Sequence, residues 1–176
     1  MVKEKITFSV QMTAKEVYMF TMYHVYHGFS GRLGLCLSLA AFINLVLSFD
    51  SLSDQNKTIL TFVAVWFTVL EPIRMFFRAR KQVKRTKAYG QPLNYVLDEE
   101  GVTVSQDSES QTIAWENLVK IVKTGSLYLF YSSKIHAFIF PKKDIGTQCE
   151  ALDKLIIQCT KSTNVKRKGS FPRHIN

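Results

Sequence analysis

Apolar positions along this chain follow three successive patterns. Ile6, Phe8 and Val10 alternate with Thr7 and Ser9, which is the period-two signature of a short strand. Two nearly unbroken apolar runs come next, LGLCLSLAAFINLVLSF at 33–49 and TILTFVAVWFTVL at 58–70. The second extends through EPIRMFF to residue 77. From Leu93 the period returns to two, and LNYVL, VTVS, QTIA, LVKIVKT, LYLFYS and AFIFP read as six strands. DEEG, QDSES, WEN, GS and SKIH separate them with turn-forming residues. The segment IGTQCEALDKLIIQCTKS then reads as a helix, with Leu152, Leu155, Ile156 and Cys159 as its apolar stripe and Asp153, Lys154 and Gln158 outside.

Between the first strand and the first apolar run, Thr13 and Glu16 form a capping box that opens a helix over about 14–27. No charge follows Glu16 in it, and Tyr18, Phe20, Tyr23 and Tyr26 suit a membrane–water interface. Gly28 and Gly31 allow a turn into the first run. His24 and His27 stand at i, i+3, but no further ligand sits at a convincing spacing, so a packed or interfacial pair is expected and no metal.

A bilayer span needs about 20 apolar residues, with about 17 at the low end. The first run is short but sufficient, and the second reaches full length only through its charged extension. The polar stretch DSLSDQNK between them is long enough for a helix–helix turn. A cleaved signal peptide is not expected, because the first run starts thirty residues in and the second follows directly. Neither run has the polar face of a soluble surface helix. After the second run come Arg74, Arg78, Arg80, Lys81, Lys84, Arg85 and Lys87 without an acid among them, and Lys3, Lys5, Lys15 and Arg32 precede the first. The connecting loop sets only Lys57 against Asp50 and Asp54. By the positive-inside rule both termini are cytoplasmic and the loop faces outward.

Helical rise puts Glu71 about 20 Å from the outer end of its span, in the inner quarter of a hydrocarbon core about 30 Å thick. Arg74 lies one turn further, near the inner boundary, within reach of Glu71. Pro72 cannot donate to the carbonyl of Thr68, so a kink is expected. Glu71, Pro72 and Arg74 therefore read as a bend where the helix leaves lipid, with the charges paired at headgroup level. The alternative is an ion-coupled intramembrane carboxylate, which in a two-span chain requires an oligomeric transporter or channel. Asn44, level with Thr61, is expected to join the two helices by a hydrogen bond.

The net charge of +9 is unevenly placed. Residues 72–92 carry +7 and 161–176 carry +5, whereas 93–160 sum to −3. Positive charge beside an apolar segment suits an anionic membrane surface, and an acidic folded region does not read nucleic acid. Cys36, Cys149 and Cys159 have no metal spacing and form no even framework, so reduced thiols are expected. No phosphate-cradling loop, metal signature, nucleophile elbow or paired carboxylates occur, and the DEEG acids sit in a turn. Neither an enzyme nor a bound cofactor is implied. The tail from residue 161, basic and poor in apolar residues, is expected to be disordered or to lie on the membrane.

Six short strands followed by one amphipathic helix predict a bent sheet or small barrel with the helix packed across an open end. The strand at 6–10 is expected to join it, since about 70 residues make a small core. Within this part, TIAWENLVKIVKTGSLYLFYSSKIHAFIFPKKDI resembles the YcxB-like family. Trp115 ends a strand, the strand at 118–122 and Tyr128 to Tyr131 follow, and Phe140, Pro141, Lys142 and Lys143 close the pattern. Ile145 departs from it, where a phenylalanine is expected after the lysines. The order of strand–helix, helical hairpin, basic linker and β-rich C-terminus is similar over nearly the whole chain.

The resemblance implies a bacterial inner-membrane protein with a pleckstrin-homology-like (PH-like) cytoplasmic domain, and no catalytic residues. The expected fold class is thus an α+β membrane protein. It would hold an N-terminal strand and interfacial helix at 1–31, a transmembrane hairpin at 32–77, a basic linker at 78–92, a PH-like domain at 93–160 and a disordered tail at 161–176. The expected function is a non-catalytic module binding a membrane-protein partner or anionic lipid headgroups, in envelope regulation, sensing or peptide immunity; homo-oligomers fit as well. Candidate headgroup contacts are Arg78, Arg80, Lys81, Lys84, Arg85, Lys87, Lys142 and Lys143, with Lys134 beside the last two. Trp115 and Pro141 read as core packing and strand termination.

Overall fold

The computed structural model describes residues 5–86, 89–107, 109–161 and 163–172. The chain divides into two compact units, one of Met1–Glu16 with Thr86–Asn176, the other Val17–Arg85. The class is mixed α+β, with two long apolar helical segments and two sheets, neither closed into a barrel.

Among the described residues the mixed unit has eight strands. β1 (Ile6–Val10) pairs antiparallel with β2 (Leu93–Leu97), Phe8 opposite Tyr95, so the N-terminal strand does join the later sheet. β3 (Gly101–Gln106) and β4 (Glu109–Ala114) complete a sheet of order β1-β2-β3-β4. β5 (Lys120–Lys123), β6 (Leu127–Tyr131) and β7 (Ala137–Pro141) form the second sheet, order β7-β6-β5-β8. All six predicted strands are present. The eighth, β8 (Lys166–Lys168), was not predicted: part of the tail expected to be disordered pairs in parallel with β5. Its three side chains are exposed, so backbone hydrogen bonding holds it where composition gives no signal.

The two sheets share an aromatic core. Phe140 lies 5.3 Å from Phe8, 4.8 Å from Tyr95 and 4.8 Å from Phe130 between ring centroids. Such edge-to-face pairs contribute beyond their burial. Trp115 packs on Phe130 and donates its indole N–H to the carbonyl of Asp98 at 2.8 Å. The core reading of Trp115 therefore includes a tie to the β2–β3 turn that a bare hydrophobic residue would not make.

After β7 comes a short helix, α5 (Lys142–Ile145), and then α6 (Cys149–Cys159), with Leu152, Leu155 and Ile156 buried as their spacing predicts. Asp153 contradicts the expectation that it faces outward: it is 4% exposed. The physical reason is a partner thirty residues back, described below.

The helical unit takes up nearly all of α1 (Ala14–His27), then α2 (Phe29–Leu47) and α3 (Asp54–Val65). A π-turn (Trp66–Leu70) links α3 to α4 (Glu71–Arg85). α2, and the segment Asp54–Arg85 of 32 residues, are long and apolar enough to cross a membrane. Most of their large side chains are exposed, Leu37, Leu39, Phe42, Phe62 and Phe77 among them. α4 is helical through Arg85, so most of the stretch expected to be a linker continues the second helix.

Small residues bring the helices together. Gly31, Gly34, Ser38 and Ala41 are the buried positions of α2, one stripe at helical spacing. Ser38 donates its hydroxyl to the carbonyl of Val63 at 2.8 Å. Asn44, the expected interhelical donor, is exposed. A shorter side chain at the close-approach stripe makes the bond instead.

Candidate functional site

Three groups of polar residues stand out, one in the helical unit and two in the mixed unit. In the first, sequence forces an irregularity in the second long helix. The N–H of Glu71 reaches back to the carbonyl of Trp66, five residues away, in the π-turn. The carbonyl of Phe67 then loses its ordinary partner at residue 71, and its next donor in the π register is Pro72, which has no N–H. Tyr26 fills that vacancy, donating its hydroxyl to Phe67 at 2.6 Å. Thr68 adds a bond from its own hydroxyl to the carbonyl of Ala64 at 2.7 Å. The break expected at Pro72 thus takes the form of a π-turn just before it, tied down by α1.

Glu71 sits at this break and accepts from Arg74 Nη2 at 2.6 Å, as their three-residue spacing predicts. The carboxylate is 13% exposed and the guanidinium 68%. The charge is therefore met locally and opens toward the basic end of the helix. Beyond it Arg78, Arg80, Lys81, Lys84 and Arg85 follow on α4, and Arg80 lies over the Phe76 ring at 4.8 Å. Lys87 lies outside the described residues. His24 and His27 pack as aromatic neighbours, with His27 stacked on Tyr23 at 4.0 Å. Among the described residues no cluster of three or more metal-ligating side chains occurs.

The second group joins the two ends of the mixed unit. One half of the capping box forms, with the Thr13 N–H donating to Glu16 Oε2 at 3.1 Å, and the Thr13 hydroxyl accepts from the Lys15 N–H at 3.3 Å. The other Glu16 oxygen holds Lys143 Nζ at 2.9 Å. Lys143, a candidate headgroup contact, therefore has a partner within the protein, although its side chain remains 59% exposed. Lys142 donates to the carbonyl of Gly125 at 3.0 Å and lies 5.6 Å from the Tyr128 ring centroid. Burial works to raise the Glu16 carboxyl, but hydrogen bonds from Lys143 and Thr13 outweigh it and hold the group below its ordinary 4.5. A depressed carboxylate stabilises the fold above its unfolded value, and that stability is lost as pH falls through the folded one. The denaturant midpoint of the wild type is therefore expected to drop more steeply below pH 4.5 than that of Glu16→Gln. Parallel curves for the two would refute the coupling.

The third group surrounds Asp153. Lys123 Nζ on β5 reaches Asp153 Oδ2 at 2.5 Å, and the Tyr128 hydroxyl donates to Oδ1 at 2.9 Å. Burial and the hydrogen bond to Asp153 together raise the Tyr128 phenol. The tail crosses nearby: Phe171 lies 5.8 Å from Lys123 Nζ, and Phe171, Ser170 and Pro172 line a cavity of about 540 Å³ with Lys123, Glu150, Asp153 and Lys154. Both signs of charge line it, so it has no preference for an ion of either sign. Sequence reasoning missed this group because α6 alone gives Asp153 no reason to be buried.

Two apolar segments of membrane-spanning length together with a small two-sheet unit define the class: a mixed α+β chain with candidate membrane helices. Within it, residues 97–156 match the family model of the YcxB-like protein. The match runs from the end of β2 into α6 and includes the segment on which the resemblance rests; the apolar helices lie outside it. No curated protein and no solved structure matches the chain.

Proposed function

We propose that this protein is a non-catalytic, membrane-anchored interaction module. α2 and the long α3–α4 segment form a two-pass hairpin in a bacterial inner membrane, with both termini cytoplasmic. The mixed unit, two sheets and a packed helix in the manner of a PH-like domain, works at the cytoplasmic face on anionic lipid headgroups or a membrane-protein partner. The observation that carries this reading is the charge on α4. Its first turn holds the only acid, Glu71, already paired with Arg74, and every charge from Arg78 to Arg85 is positive. A helix that leaves an apolar stretch in this way fits an anionic cytoplasmic leaflet. The Glu71–Arg74 pair supports an interfacial role for that carboxylate over an ion-coupled one.

Topology tests it. A reporter active only outside the cytoplasm is expected to be active when fused after Ser53 and silent when fused after Asn176. Replacing Arg78, Arg80, Lys81, Lys84 and Arg85 by glutamine is expected to lower the Ser53 signal as orientation becomes mixed. The reverse pattern in the wild-type fusions sinks the proposal.

A further inference from the structure

A cavity of about 440 Å³ opens where β5, the β6–β7 loop and the tail meet, lined by Leu118, Val119, Lys120, Tyr131, Ser133, Lys134, Asn164 and Lys166. Three of these residues are lysines and none is acidic. Lys120 and Lys166 are register partners on adjacent strands, so their side chains leave the sheet on one face. Val122 pairs with Lys168 two residues on, which puts Lys168 on that face too. Like charges side by side on a sheet are unfavourable. Here the ammonium of Lys120 is further held 4.3 Å from the centroid of the Tyr131 ring. Burial and then the Lys168 charge both lower the Lys120 pKa, as expected where positive charge gathers without a counter-ion.

Exposed apolar side chains stand in this lining and next to it in sequence. Val119 is 51% exposed and Ile135, directly after Lys134, is 66% exposed. Among the described residues they are the only large hydrophobics the mixed unit exposes to that degree. A cationic cavity with exposed Val119 in its lining, and with exposed Ile135 next in sequence to its Lys134, complements a ligand with a phosphate and an apolar body. We infer that this cavity binds the phosphate headgroup of an anionic phospholipid, with Val119 and Ile135 against its apolar part. The inference rests on the proposed membrane anchoring and gives the lipid contact a site separate from the α4 cluster.

Lysine acetylation rates, read by mass spectrometry on the full chain in nanodiscs, test it. One set of discs is phosphatidylcholine alone, and the other contains one quarter phosphatidylglycerol. Lys120, Lys134 and Lys166 are expected to react about fivefold more slowly in the anionic discs, the factor for about 1 kcal/mol per basic residue at such a surface. Lys154 is the unprotected reference. Ile135→Ser, at an exposed loop position, is expected to reduce the protection. Equal rates in the two kinds of disc overturn the inference. So does equal protection by free glycerol phosphate in phosphatidylcholine discs, which would assign the cavity to a soluble phosphate ester. Protection seen only in native membranes, with a second protein crosslinked at Lys134, would assign it to a protein partner. A reversed topology reporter with protection intact would instead reject the anchoring and leave the cavity's chemistry standing.

Discussion

Asp153→Ala is expected to destabilise the mixed unit by about 3–5 kcal/mol, the cost of breaking a buried ion pair from one side. The variant leaves Lys123, whose side chain is 17% exposed, without its carboxylate. It also removes the nearer of two acceptors of the buried Tyr128 hydroxyl, leaving the Cys149 carbonyl at 3.3 Å. For a domain of about 100 residues each kcal/mol moves the thermal midpoint by roughly 4 °C or more, so a fall exceeding about 12 °C is expected. Removing the charge from both ends separates the pair from simple packing. A Lys123→Met, Asp153→Leu double variant is expected to recover most of the loss, because an apolar pair of similar volume needs no desolvated charge. A single-variant loss under about 1 kcal/mol, or a double variant no better than the single, would show that the network contributes little. Circular dichroism melts of the three proteins decide between these outcomes.

The same residue shows where sequence reasoning stops. The apolar stripe of α6 is legible because Leu152, Leu155 and Ile156 repeat at the helical period. Asp153 lies next to that stripe, and only the sheet brings Lys123 within 2.5 Å of it. Periodicity describes a side chain against water, and a pair formed thirty residues apart changes the balance after folding. β8 escapes for a different reason: Lys166, Arg167 and Lys168 all point to solvent, so nothing in their composition differs from a solvated tail. The cavity lysines were only partly visible. Lys134 stood out beside Lys142 and Lys143, but the register that sets Lys120 against Lys166 belongs to that unforeseen strand. By contrast the Thr13–Glu16 contact and the Glu71–Arg74 pair are local, three residues apart each, and both are present.

Gly31→Ala is expected to damage the helical hairpin far more than Gly34→Ala, although both lie on the same stripe of α2. A Cβ on Gly34 would come within 2.4 Å of the Phe67 ring, and a side chain can turn aside. A Cβ on Gly31 would come within 2.2 Å of the Val25 carbonyl oxygen and 2.8 Å of its carbon. That backbone belongs to α1, so relief requires the α1–α2 turn itself to open. Alanine also gains about 1 kcal/mol of helix propensity over glycine at each site. Against an overpacking cost of about 1–3 kcal/mol, Gly34→Ala should come out near neutral and Gly31→Ala should lose about 2 kcal/mol. Opening the turn also draws Tyr26 away from the Phe67 carbonyl, which neither the π-turn nor Pro72 can satisfy. Gly31→Ala should therefore expose the segment around the π-turn as well as its own turn. Hydrogen exchange in detergent micelles reads this directly: faster exchange at Trp66–Leu70 is expected in Gly31→Ala and not in Gly34→Ala. Equal exchange in the two variants would mean that α1 does not hold the π-turn in place. The irregularity would then follow from Pro72 and its own helix alone.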